Sequence, residues 1–146
     1  MRQSADRLLD LGSESGLPES TAHAHYFLGL CHYERNELDD AEKHIAAVVK
    51  APYVVNVHNH SYSAFALALT YEATGRSNDA REVVDAVADL AMTARNASLV
   101  QSAQAFRAEL AIRQGRIAEA VQWASTFDPH PFFVEYRFYM PQLTLA

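Results

Sequence analysis

Glu34-Arg35-Asn36-Glu37-Leu38-Asp39-Asp40-Ala41, Ala73-Thr74-Gly75-Arg76-Ser77-Asn78-Asp79-Ala80 and Arg113-Gln114-Gly115-Arg116-Ile117-Ala118-Glu119-Ala120 are three versions of one stretch. They align on Asn36, Gly75 and Gly115, which lie 39 and 40 residues apart. Gly, or Asn after it, suits a helix C-terminus where the chain takes a left-handed conformation, so each anchor is expected to end one helix and let the next fold back. Ala41, Ala80 and Ala120 stand five residues after the anchors, and Gly29, Ala68 and Ala108 seven before them. Small residues at both places let two antiparallel helices approach closely where they cross. Larger apolar residues frame them: Leu28 and Leu67 eight before, Ile45 and Val84 nine after, and Val48, Val87 and Phe127 twelve after. Spacings of three and four put these on one stripe of each helix, so each unit reads as a helical hairpin.

Extended along the chain, the pattern predicts an all-α fold with helices at about 21–35, 38–50, 57–74, 78–94, 97–114 and 117–126. Residues 4–11, with Leu8, Leu9 and Leu11, read as the tail of a preceding helix, and Gly12 to Ser20, with Gly16 and Pro18, as a link. The run Phe127-Asp128-Pro129-His130-Pro131 is expected to break the last full helix. Pro141 suits the first turn of a new one, giving a partial helix at about 138–146. Residues 1–146 therefore form one repeat domain, with repeats at about 21–56, 57–96 and 97–130. Leu8–Leu11 and the apolar ending Leu143-Thr144-Leu145-Ala146 give the chain the look of a slice from a longer array. A slice without polar capping repeats is expected to self-associate through its exposed ends.

Composition narrows the function classes. The 146 residues are 49% hydrophobic and 21% charged, which is ordinary for a globular chain with a core. Twelve Lys plus Arg against eighteen Asp plus Glu give a net charge of −6, leaving no basic excess for a phosphate backbone. Direct nucleic-acid contact is not expected. The single Cys31 excludes an internal disulfide. The polar start Arg2-Gln3-Ser4-Ala5-Asp6 has no signal-peptide core, and no run reaches the roughly 18 apolar residues of a membrane span. The chain is expected to be cytoplasmic, with no membrane contact and no cofactor.

The small residue, the aromatic Tyr71 four before the turn, the Gly or Asn turn and the Ala five later resemble the tetratricopeptide repeat. Departures are visible: His32 and Ala111 replace the aromatic, Arg107 replaces the leucine, and no proline closes each unit. The period also exceeds the roughly 34 residues of that repeat, implying longer helices or longer links. Arg107-Ala108-Glu109-Leu110-Ala111-Ile112-Arg113-Gln114-Gly115, then Ala120-Val121-Gln122-Trp123-Ala124 and the aromatic run toward the C-terminus, resemble the repeat region of MalT-type, LuxR-family ATP-dependent transcriptional regulators. That resemblance implies a right-handed superhelix of stacked hairpins, a piece of a larger regulator, sensing an effector protein, peptide or small molecule in its concave groove. No Gly-x-x-x-x-Gly-Lys-Ser/Thr loop and no basic recognition helix is present, so ATPase and DNA-binding activity do not carry over. The alternative function is a general protein-interaction or oligomerisation adaptor; an enzyme is the third and least supported.

In the repeat family the residues thirteen, ten, six, three and two before each anchor line the groove. They are His23, Tyr26, Leu30, Tyr33 and Glu34, then Tyr62, Phe65, Leu69, Glu72 and Ala73, then Ser102, Ala105, Glu109, Ile112 and Arg113. Of these, His23, Tyr26, Tyr33, Tyr62, Phe65, Glu72, Glu109 and Arg113 are the candidate ligand-contacting set. Aromatics beside carboxylates and an arginine suit a peptide, a helix or a small ligand with one apolar face. The other possibility for Tyr26 and Phe65 is packing between hairpins. His23 with His25, and His58 with His60, point apart on a helix at a spacing of two, and so do not form a metal pair. His58 and His60 read as polar residues at a helix start, His32 as a packed histidine and Cys31 as a small core residue. Glu37, Asp39, Asp40 and Glu42 are acids at a helix start, where the positive end of the helix favours them. No Ser-His-Asp set sits in a strand-to-helix elbow, so no catalytic residue is assigned.

Overall fold

The computed structural model describes residues 2–52 and 54–127. Over these the chain is helical throughout: α1 (Arg2–Glu14), α2 (Pro18–Tyr33), α3 (Leu38–Val49), α4 (Val57–Ala73), α5 (Ser77–Thr93), α6 (Ala97–Arg113) and α7 (Ile117–Thr126). No strand occurs among the described residues. Two compact units divide within α5, after Ala80. In the first, α2 packs on α1 and α3, and α3 on α4; in the second, α6 packs on α7. The proline break after Asp128 and the helix expected at 138–146 lie outside the described residues.

The three anchors end helices as expected. Asn36, Gly75 and Gly115 have φ of 60°, 77° and 74°, and Gly16 and Arg95 join them at 63° and 51°. Around each the same two hydrogen bonds form. The residue after the anchor donates back across five residues: Leu17 to the Gly12 carbonyl at 2.9 Å, Glu37 to His32 at 2.9 Å, Arg76 to Tyr71 at 2.8 Å, Asn96 to Ala91 at 3.0 Å and Arg116 to Ala111 at 2.7 Å. The left-handed residue donates to the carbonyl three before it, as Asn36 does to Tyr33 at 2.9 Å and Gly75 to Glu72 at 3.0 Å. This pair of bonds is the Schellman closure, which satisfies carbonyls left over at a helix end. The residue that closes one helix begins the next: the Glu37 carbonyl accepts from Ala41, and that of Arg76 from Ala80.

The link between α3 and α4 is built differently. Lys50 and Ala51 leave α3, Val54 N–H donates to the Ala51 carbonyl at 3.1 Å, and Asn56 caps α4 by accepting from Asn59 N–H at 3.0 Å. This seven-residue link lengthens the first period, beside an α3 of only 12 residues. The second period is long because α5 and α6 have 17 residues each. Both ways of exceeding the usual repeat are therefore in use.

Two boundaries differ from the sequence expectation. α1 is a 13-residue helix reaching Glu14, and α2 starts at Pro18, so the link is Ser15–Leu17 alone. Proline lacks the N–H that a first-turn position leaves unbonded, so Pro18 opens the helix where a break was expected. Gly12 belongs to α1, and a Cβ on it would lie 2.9 Å from Thr21 Oγ1. Its bareness lets α1 approach α2.

The small and large registers pack as their spacing implies. Ala41, Ala68, Ala80, Leu28, Ile45, Val48, Leu67, Val84 and Val87 are all buried. A helix buried on every side needs its hydroxyls satisfied locally, and α4 does this: Ser61 donates to the Val57 carbonyl, Ser63 to Asn59 and Thr70 to Ala66. At Gly29 an added Cβ would sit 2.2 Å from Ile45 Cγ1, so α2 and α3 touch with nothing between them. The equivalent registers of the next repeat hold Ala68 and Val84, one carbon more and one carbon fewer. Gly29→Ala is therefore expected to lower unfolding free energy by about 1–3 kcal/mol through overpacking, despite alanine's better helix propensity. Ile45→Val in the same chain, which removes the Cδ1 that also crowds the new methyl and lets the shortened side chain turn aside, should recover part of that loss in urea unfolding. A purely additive double mutant would show that the two residues do not compete for space.

Candidate functional site

The first unit sets α2 beside α4. Asn59 Nδ2 donates to His23 Nε2 at 2.9 Å. Tyr26, half-buried, packs on Ala22, Val48 and Val55. Burial first, and the neighbouring Tyr62 second, push the Tyr26 phenol up to about 12, so it stays a neutral hydrogen-bonding group. Tyr62 meets Phe65 edge-on at 6.2 Å. Tyr33 and Leu30 continue the same face of α2 half-buried, and Leu69 and Glu72 that of α4. Glu72 accepts from Ser77 Oγ at 3.0 Å, so its carboxylate is held at the end of the face.

Six of the eight candidate residues lie in the first unit, with unequal access. Phe65 is fully buried and Tyr62 almost so, whereas His23, Tyr26, Tyr33 and Glu72 are half-buried. Glu109, half-buried, and Arg113, exposed, lie in the second unit and bond each other, Nη2 to Oε1 at 2.8 Å, one helical turn apart. Arg107, in the leucine's place, is exposed and pairs with Asp85 at 3.2 Å. The same unit has a cleft of 320 Å³ between α6 and α7, lined by Gln104, Arg107, Glu119, Gln122 and Trp123 among others.

The histidines separate as the spacing of two required. His23 turns to α4, while His25 Nδ1 meets His44 Nδ1 of α3 at 2.9 Å. His60, read as a polar residue at a helix start, is buried in the first turns of α4; its Nε2 donates to the Val49 carbonyl at 3.2 Å and its Nδ1 has no partner. Cys31, expected in the core, is half-buried. Missed by the sequence reading is a strip along the α2–α3 hairpin: His44 stacks on His32 at 5.4 Å and 7°, and His32 Nδ1 bonds Glu37 Oε2 at 2.5 Å. The signal was present, since His25 and His32 are seven apart and Asp40 and His44 four apart.

Burial lowers the affinity of His25 and His44 for a proton below the ordinary 6.5, with Lys43 adding to the effect at both and the neighbouring imidazoles at His44. The unfolded chain then takes up protons at a higher pH than the folded one, so the pair's stability contribution is complete above about pH 6.5 and is lost as the pH falls below it. Melting temperature in metal-free buffer is expected to drop between pH 7 and pH 5. His44→Gln should flatten part of that slope, and an unchanged slope would remove the pair as its source.

Among the described residues no helix is long and apolar enough to cross a membrane. No curated protein and no solved structure matches the chain. A family model does: residues 2–53 and 65–131 match the tetratricopeptide repeat. Together with the repeated hairpin closures, that match makes the chain a member of the tetratricopeptide-repeat family, whose repeats serve typically as protein-interaction scaffolds without catalysis.

Proposed function

We propose that the chain is a non-catalytic binding module that takes a peptide or helix of a partner protein on the inner face of α2 and α4. The observation that carries this is the line of half-buried His23, Tyr26, Leu30 and Tyr33 on α2, which Asn59 of α4 joins through its hydrogen bond to His23, with half-buried Glu72 at the corresponding register of α4. Such a face offers rings for apolar side chains and a few directed polar groups to orient them. Buried Tyr62 and Phe65 stiffen it from beneath, so little ordering is needed on binding.

The narrower reading keeps the module as the cytoplasmic, effector-sensing segment of a MalT-type, LuxR-family regulator, where an effector acts by favouring one arrangement of the larger protein. It rests on the resemblance of residues 107–115 and 120–124 and of the aromatic run toward the C-terminus. A small-molecule inducer is the variant of that reading in which the same rings stack on the ligand. Self-association has its own support, because α1 and its turn expose Leu11 and Leu17, and α7 exposes Ile117 and Val121.

The binding face is tested by affinity capture with three forms of the chain, all checked for wild-type helicity. Tyr33→Ala with Glu72→Gln should lose a partner about tenfold or more, while Lys43→Ala with Lys50→Ala, exposed on α3 and at its C-terminal cap, should keep it. Equal recovery by both variants, or loss only with the lysine pair, would contradict the assignment.

A further inference from the structure

The three turns carry equivalent side chains. One residue after the left-handed anchor stand Glu37, Arg76 and Arg116, and four after it stand Asp40, Asp79 and Glu119. In the second turn Arg76 Nε bonds Asp79 at 2.7 Å and Nη1 bonds Glu42 at 2.8 Å, with the guanidinium 4.1 Å above the Tyr71 ring. In the third, Arg116 bonds Glu119. Both turns therefore place a guanidinium against the acid that opens the next helix.

The first turn has the acid without the guanidinium. Glu37 stands in arginine's place, so two carboxylates occupy positions three apart, a spacing at which like charges repel. Among the described residues no lysine or arginine pairs with either. What converges there is a ligand set: His32 Nδ1 lies 2.5 Å from Glu37 Oε2 and 4.0 Å from Asp40 Oδ2, and all three atoms are within 4.8 Å of one another. His32 is buried, whereas both acids are exposed and free to adjust. Its ring is held from the other side by His44, which His25 secures in turn. A fixed imidazole with two adjustable carboxylates is a donor set for first-row divalent metals.

We propose that His32, Glu37 and Asp40 bind a divalent transition ion, which supplies at the first turn the positive charge that arginine supplies at the other two. Water completes its coordination. Ligand distances near 2.0–2.2 Å require the Glu37 side chain to open slightly and that of Asp40 to close in around the ion.

Zn²⁺ titration of the chelator-stripped full chain by calorimetry tests this, with Co²⁺ absorption as a second readout of coordination. One equivalent of Zn²⁺ should bind and raise the melting temperature. Glu37→Arg, which restores the residue type of the other turns, should abolish binding while keeping the metal-free melting temperature at or above wild type. Asp40→Asn should weaken binding at least tenfold, and Asp39→Asn, on the same first turn, should leave it unchanged. Undiminished Zn²⁺ binding by Glu37→Arg would overturn the proposal. So would a wild-type chain that binds no Zn²⁺.

Discussion

A single left-handed residue at the end of a helix, closed by two backbone hydrogen bonds, is the constraint on which the rest of the structure depends. It reverses the chain within three residues and makes the closing residue the start of the next helix. Because the reversal is so tight, facing helices must touch near it, and only Gly29, Ala41, Ala68 or Ala80 fits at those registers. The apolar residues three and four positions further out then fall on the facing stripes. The hairpin is thus a consequence of backbone geometry first and hydrophobic burial second.

The same turn also fixes where chemistry can sit. Its closing side chain folds back toward the residue four before the anchor, so Tyr71 meets Arg76 and His32 meets Glu37. Substitution at these sites leaves the backbone bonds intact, because they involve only N–H and C=O groups. The turns are consequently free to diverge in charge while the fold stays the same. The first turn has used that freedom most, gathering three histidines and two acids along one hairpin.

How much of this was legible depended on whether the determinant was local. Asn36, Gly75 and Gly115 announce themselves, since their residue types tolerate positive φ. Arg95 does not: it takes φ 51° because α5 and α6 demand a reversal there, and no side-chain property signals it. Pro18 was readable as a break or as a first-turn residue, and the choice turned on α1 extending to Glu14. Within the candidate face, the registers of the repeat family assigned Tyr26, Tyr62 and Phe65 alike to one side of their helices. Only packing separates half-buried Tyr26 from fully buried Phe65. The His25–His44 contact joins two helices, so spacing along either one could not reveal it.

The central role of the left-handed turns is measured most directly by paired substitutions at Gly75 and Arg95, compared in urea unfolding. A side chain in this conformation costs about 1–2 kcal/mol, partly offset by the greater chain entropy that glycine loses on folding. Gly75→Ala should destabilise the chain by about 1 kcal/mol, and Arg95→Gly should stabilise it by up to about the same amount. A neutral Gly75→Ala together with a destabilising Arg95→Gly would contradict the account, placing the control of the reversals in side-chain packing instead.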